Sequence, residues 1–130
     1  VKTINPLIYS SLLYNRENEF HKKQFLSLEV PEIDIVIVNL YPFHKYLKRK
    51  VINDIIEMID IGGPSLLRAA GKNFRYITPI MDIKDYKKLI SNLKKNNGVT
   101  DFSFRKKMAH KIYKGTSSYD KIISDWLDES

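Results

Sequence analysis

Three stretches of this chain combine polar side chains with chain-breaking residues in a way that packing alone does not require. The chain opens Val1-Lys2-Thr3-Ile4-Asn5-Pro6, a cation and a hydroxyl ahead of a turn. Asn39-Leu40-Tyr41-Pro42-Phe43 sets an amide and a phenol after the strongest apolar run. The longest stretch, 59–73, supplies the Asp60 carboxylate, the glycine pair Gly62 and Gly63, Pro64 as a helix starter, and Lys72. Backbone donors at such a helix start receive an anion or a carbonyl oxygen. The same residues also have plain structural uses. Tyr41 can be a strand-end aromatic with its hydroxyl satisfied, Asp60 a cap for the helix that follows, and Lys72 a complement to a helix carboxyl end. His21, His44 and His110 have no mutual spacing that fits a metal site or a nucleophile pair, so no metal is expected.

The elements that must position these groups alternate in type. Residues 33–40 form a β-branched run between Pro31 and Pro42, read as a short, largely buried strand of a parallel sheet. Open parallel sheets bind ligands at the carboxyl ends of their strands, where Asn39 and Tyr41 stand. Ile52, Ile55, Ile56 and Ile59 repeat at helical spacing over 51–59. Pro64 fits a first helical position, which predicts a helix over 65–72 with the two glycines beside its amino end. Residues 76–81 read as a strand, with Pro79 suited to an edge. Residues 82–97 read as a helix with Tyr86, Leu89, Ile90 and Leu93 on one face, ended by Asn96, Asn97 and Gly98. Residues 101–127 read as two helical pieces parted near Gly115 and Thr116. The alternation predicts an α/β domain with a mostly parallel sheet and late helices, and two strands are few for such a domain.

The 130 residues are enough for one domain, and 43% of them are hydrophobic. No run of about 18 apolar residues is present, so no membrane partner is expected and the protein reads as soluble and cytoplasmic. Cysteine is absent, which excludes disulfides, thiolate nucleophiles and sulfur-ligated metals. The net charge of +7 favours anionic partners. The lysines interleave with apolar positions as on amphipathic surface helices, and the aromatic and glycine patterns of nucleic-acid modules are missing, so no nucleic-acid partner is expected.

Taken in order, 1–6, 12–16, 33–43, 59–73 and 82–86, with a weaker ending around Arg105, Ala109, Tyr119, Asp120, Trp126 and Leu127, resemble one known family. It is the inosine monophosphate cyclohydrolase domain of the bifunctional phosphoribosylaminoimidazolecarboxamide formyltransferase and cyclohydrolase. The resemblance implies a methylglyoxal-synthase-like three-layer α/β fold. It implies an enzyme of purine biosynthesis that closes the ring of a formamido-imidazole-carboxamide ribonucleotide, with loss of water and no cofactor. By the same resemblance Lys2, Tyr41, Asp60 and Lys72 fall at catalytic positions, and Thr3, Asn39, Ile61, Gly62 and Gly63 at nucleotide-contacting ones. It further implies a homodimer. The family has a phosphate-holding segment ahead of the position of Val1, and a transferase half using 10-formyltetrahydrofolate after that of Ser130. Residues 1–130 are therefore expected to be a partial domain with little turnover by itself. The family's histidine stands where this chain has Asn5, a second histidine with two glycines where it has Tyr9, Ser10 and Ser11, and alanine where it has Gly71. These departures leave a second reading, a noncatalytic remnant or interaction module derived from that domain.

Overall fold

The computed structural model describes residues 4–47 and 51–129. The element order is α1 (Pro6–Leu13), α2 (Glu19–Leu26), β1 (Ile35–Ile37), α3 (Phe43–Tyr46), α4 (Ile52–Ile56), α5 (Gly62–Lys72), β2 (Thr78–Ile80), a 3-10 turn (Ile83–Asp85), α6 (Tyr86–Lys95) and α7 (Phe102–Glu129). The architecture is mostly helical, around a two-stranded parallel sheet that pairs Ile35 with Thr78, Val36 with Pro79 and Ile37 with Ile80.

Both predicted strands are present but short, with three residues each where 33–40 and 76–81 were expected. The ladder reaches one residue further at each end of β1. Thr78 N–H donates to Asp34 O at 2.8 Å and Val38 N–H to Ile80 O at 3.0 Å. Because Thr78 and Ile80 face β1 with their bonding groups, the imino nitrogen of Pro79 points away from the ladder, the one orientation that costs no hydrogen bond. The buried-strand expectation holds for Val36 and not for Ile37, which is 48% exposed.

Four helical expectations change. Gly62 and Gly63 are not a loop before a helix but the first two residues of α5, with Pro64 behind them in the first turn, where a missing N–H is harmless. The helix expected over 51–59 is shorter, Ile52–Ile56; it buries Ile55 and leaves Ile52 and Ile56 exposed. Helix 82–97 begins as a 3-10 turn, and Ile90 lies outside its packed face. Its end is as expected. Asn97 takes a left-handed φ of 53° and Gly98 N–H closes on Leu93 O at 2.8 Å. The two late pieces are one helix of 28 residues. Gly115 does not break it, since packing outweighs a propensity deficit of about 1 kcal/mol: Met81 lies where a methyl on Gly115 would stand, and Thr116 beside it is buried.

The core forms three clusters. Leu12, Val36, Ala69, Ala70 and Ile77 join α1, α5 and β1. Phe43, Ile55 and Tyr119 join α3, α4 and the far part of α7. Ile80, Leu89 and Met108 join β2, α6 and the near part of α7. Helix α7 thus touches two of the three, which is why a break in it would be costly. Gly71 lies inside α5 against α7. A methyl there would sit 3.4 Å from Tyr113 Cε2 and 3.6 Å from Ile112 Cγ2, ordinary packing distances. Gly71→Ala is therefore expected to stabilise the domain by up to about 1 kcal/mol through helix propensity, read as a raised urea midpoint; a lowered midpoint would show that the α5–α7 contact cannot take the methyl.

Candidate functional site

Two turns meet at the amino end of α5. The first follows β1 and carries Asn39, Leu40 and Tyr41; the second links α4 to α5 and carries Asp60 and Ile61. Gly63 is the point of contact. A Cβ on it would stand 2.5 Å from Asp60 Oδ2 and 3.0 Å from Leu40 Cδ2, so glycine alone lets both turns close on the helix. Asp60 Oδ1 accepts from Gly63 N–H at 2.9 Å, and Asp60 N–H donates to the Tyr119 hydroxyl at 2.8 Å. Tyr119 passes its own proton toward Met58 O at 3.4 Å. Burial pushes the Tyr119 phenol above its ordinary pKa, with the Asp60 backbone bond acting against that. The residue is thus fixed through both its backbone and its Oδ1, while its Oδ2 is left for other work. Nothing lies within 4 Å of a Cβ on Gly62, so the backbone beside Asp60 is open to a ligand.

The other expected residues fall as follows. Tyr41 is 44% exposed rather than buried at the strand end, and Ile61 is exposed next to Asp60. Asn39 is a bracket across the sheet: its Nδ2 donates to Met81 O at 3.2 Å and its Oδ1 accepts from the Tyr86 hydroxyl at 3.0 Å. Lys72 is exposed at the other end of α5, ten residues after Gly62, on the order of 15 Å along the axis. The chain thus brings Asn39, Tyr41, Asp60, Ile61, Gly62 and Gly63 to one end of the sheet and leaves Lys72 away from them. Lys2 and Thr3 lie outside the described residues, as does the basic run of Lys48, Arg49 and Lys50.

Asn39 and Leu40 also line a cleft of about 750 Å³ that opens against α7 at the carboxyl ends of β1 and β2. Met81, Asp82, Ile83, Lys84, Lys111, Lys114 and Gly115 complete its wall. Sequence reading missed its lysines, which are isolated along the chain and converge only through folding, and it missed Tyr119 as the group that holds Asp60. Tyr119 stood out in the sequence only as part of the weaker ending of the resemblance, and nothing there reveals what its hydroxyl reaches. Among the described residues, no three His, Cys, Asp or Glu side chains are grouped to hold a metal ion, and no helix is long and apolar enough to cross a membrane.

A family model described as the AICARFT/IMPCHase bienzyme matches residues 70–130. The bifunctional purine biosynthesis protein PurH of Ruegeria sp. (strain TM1040) is 41% identical over 128 residues, covering 98% of this chain and 24% of that protein. This chain is homologous to a stretch of PurH. The PurH of Clostridium botulinum (strain Hall) is 43% identical over 130 residues, covering 99% of this chain and 26% of its own length. The chain spans about a quarter of the length of the PurH relatives it matches. The solved structure titled "Crystal structure of ForH" is similar at a TM-score of 0.80 and 28% identity, covering 98% of this chain and 67% of that one. The likeness to PurH runs through both turns that meet at Gly63, whereas the family match begins at Ala70, after them.

Proposed function

We propose that this chain is part of the ring-closing half of a PurH-type protein and that its site acts on a formamido-imidazole-carboxamide ribonucleotide. The observation that carries this reading is the Asp60 carboxylate, held by Gly63 N–H on a backbone whose own N–H is tied to the Tyr119 hydroxyl, beside the open backbone of Gly62. It stands at the carboxyl end of the sheet, where α/β folds bind ligands.

Ring closure joins the carboxamide nitrogen to the formyl carbon. The carboxamide nitrogen gives up one proton and the formamido nitrogen another, the formyl oxygen leaves with them as water, and the product is inosine monophosphate. An amide is a poor nucleophile, so the step needs orientation, a proton acceptor and donors for the developing oxyanion. In this reading Asp60 accepts from the carboxamide nitrogen, and Lys2 or Tyr41 donates to the formyl oxygen. Thr3, Asn39, Ile61, Gly62 and Gly63 contact the nucleotide, and Lys72 assists charge balance and water loss. The geometry supports Asp60 most directly and Lys72 least, since α5 separates the two by most of its length. The reading carries with it a methylglyoxal-synthase-like sheet, a homodimer, and a formyltransferase half that uses 10-formyltetrahydrofolate.

The test is the protein made from its complete reading frame, followed by absorbance for conversion of the formamido ribonucleotide to inosine monophosphate. Turnover above the uncatalysed rate is expected. A clean absence of turnover favours the noncatalytic remnant, a reading that gains from the reshaped opening. There Tyr9, Ser10 and Ser11 lie within α1, and buried Ser11 donates to Pro31 O at 2.7 Å.

A further inference from the structure

The cleft between the carboxyl ends of the strands and α7 contains one residue assigned to the nucleotide above, Asn39, and none assigned to proton transfer. Its floor is apolar, made by the half-buried Leu40 and Met81, with exposed Ile83 at the rim and the backbone of Gly115 at one side. Gly115 has a purpose here: a methyl on it would overlap Met81 Sδ and push that side chain out of the floor. The rim is cationic, with Lys84, Lys111 and Lys114 set against a single carboxylate, Asp82. Asp82 is already engaged, accepting from Lys84 N–H at 2.9 Å.

Lys111 is held in place from behind. Asp85 is 2% exposed; one of its oxygens bonds Lys111 and the other bonds Lys88 at 3.0 Å. One buried carboxylate shared by two ammonium groups leaves an excess positive charge, and Lys84 and Lys114 carry no ion pair among the described residues. Lys111 and Lys114 stand three residues apart on α7, which puts them on one helix face. The volume lies within the range of small-molecule sites, and an apolar floor under a few convergent polar groups is their usual make-up.

We propose that this cleft is a second ligand site, taking a phosphate monoester that carries a flat apolar ring, the chemical class of a nucleoside monophosphate. The ring lies on Met81 and Leu40, and the phosphate is held by Lys111 and Lys114 with Lys84 across the opening. Asn39 joins the two sites. Its side chain bonds Met81 O in the floor of the cleft, and the turn it begins carries Tyr41. Occupancy of the cleft therefore bears on the ring-closing site, which gives the ligand a regulatory use.

The experiment titrates the full-length protein calorimetrically with adenosine monophosphate, adenosine and inorganic phosphate, using wild type and the double variant Lys84→Ala, Lys114→Ala. Both lysines are exposed, and the variant leaves the Asp85 network intact. Wild type is expected to bind the nucleotide in a component that weakens about tenfold or more in the variant, while adenosine and phosphate each bind at least about tenfold more weakly than the nucleotide. Turnover without added nucleotide is expected to be the same in both proteins. Equal affinity in wild type and variant overturns the proposal, as does adenosine or phosphate matching the nucleotide. Loss of the binding difference with ring closure intact defeats the second site alone. Absence of ring closure with the difference intact defeats the reading of the Asp60 site alone.

Discussion

Asp60→Asn is expected to lower ring-closure turnover of the full-length protein by about 10²- to 10⁴-fold, the range for loss of a positioned acid or base, with little change in the unfolding midpoint. Asparagine retains an oxygen where Oδ1 accepts from Gly63 N–H, and the bond from Asp60 N–H to Tyr119 is a backbone bond that the exchange does not touch. The cap on α5 survives; the negative charge and the proton acceptor do not. The variant thus separates the two uses of this residue. If Asp60 serves only as a cap, asparagine is an adequate substitute and turnover is unchanged, which would sink the catalytic role. Gly63→Ala approaches the same carboxylate from the other direction. Its methyl would stand 2.5 Å from Oδ2, so the carboxylate must move, and a displacement of about 1 Å near the chemistry costs on the order of 10²-fold. A wild-type rate in Gly63→Ala would mean that the position of Asp60 is immaterial.

What the sequence revealed and what it hid differ in physical kind. The end of α6 was legible because Asn97 and Gly98 are local instructions, acting through backbone torsions that few other residues adopt. Pro79 was legible for the same reason, since a missing N–H confines it to a ladder's open side. Gly115 misled because its local message, a helix break, is outweighed by Met81 packing across it from a residue 34 positions earlier in the chain. Strand length was over-read: apolar runs mark what can be buried, whereas strand ends are set by where the partner stops bonding, here at Asp34 and Val38. At the site, the resemblance marked Asp60 and Gly63, and the structure supplies the reason they belong together, a Cβ that would collide with a carboxylate. It could not supply the bond from Asp60 to Tyr119, nor that from Lys111 to Asp85, because those partners are brought together by α7 alone. The distance of Lys72 from Asp60 was legible in principle, for a helix with one residue just before its start and the other at its end cannot fold them onto one spot.

Loss of Arg105 is expected to cost the fold heavily. Its guanidinium lies between three segments: Nε donates to Phe74 O at 2.9 Å, Nη2 to Arg75 O at 2.8 Å, and Nη1 to Thr100 O. Burial lowers the pKa of this group, an effect Asp101 opposes. It thereby ties the turn from α5 into β2 to the loop between α6 and α7, next to the buried hydroxyl pair of Thr78 and Thr100 at 2.7 Å. Arg105→Met keeps the aliphatic stem and removes all three donors, leaving carbonyl oxygens that no other side chain among the described residues bonds. Bonds to a charged donor contribute roughly 1.5 to 3 kcal/mol each, and partial exposure of Arg75 O lets water replace one of them, so a loss of about 3 kcal/mol is expected. Hydrogen exchange reads it locally, as protection of the Thr78 amide falling by about 10²-fold, and urea unfolding reads it globally. Arg105→Lys is the discriminating companion. A single ammonium cannot serve three acceptors spread over a planar fork, so lysine is expected to recover less than half of the loss. Full recovery by lysine would mean that charge near these carbonyls, and not the guanidinium's shape, holds the segments together.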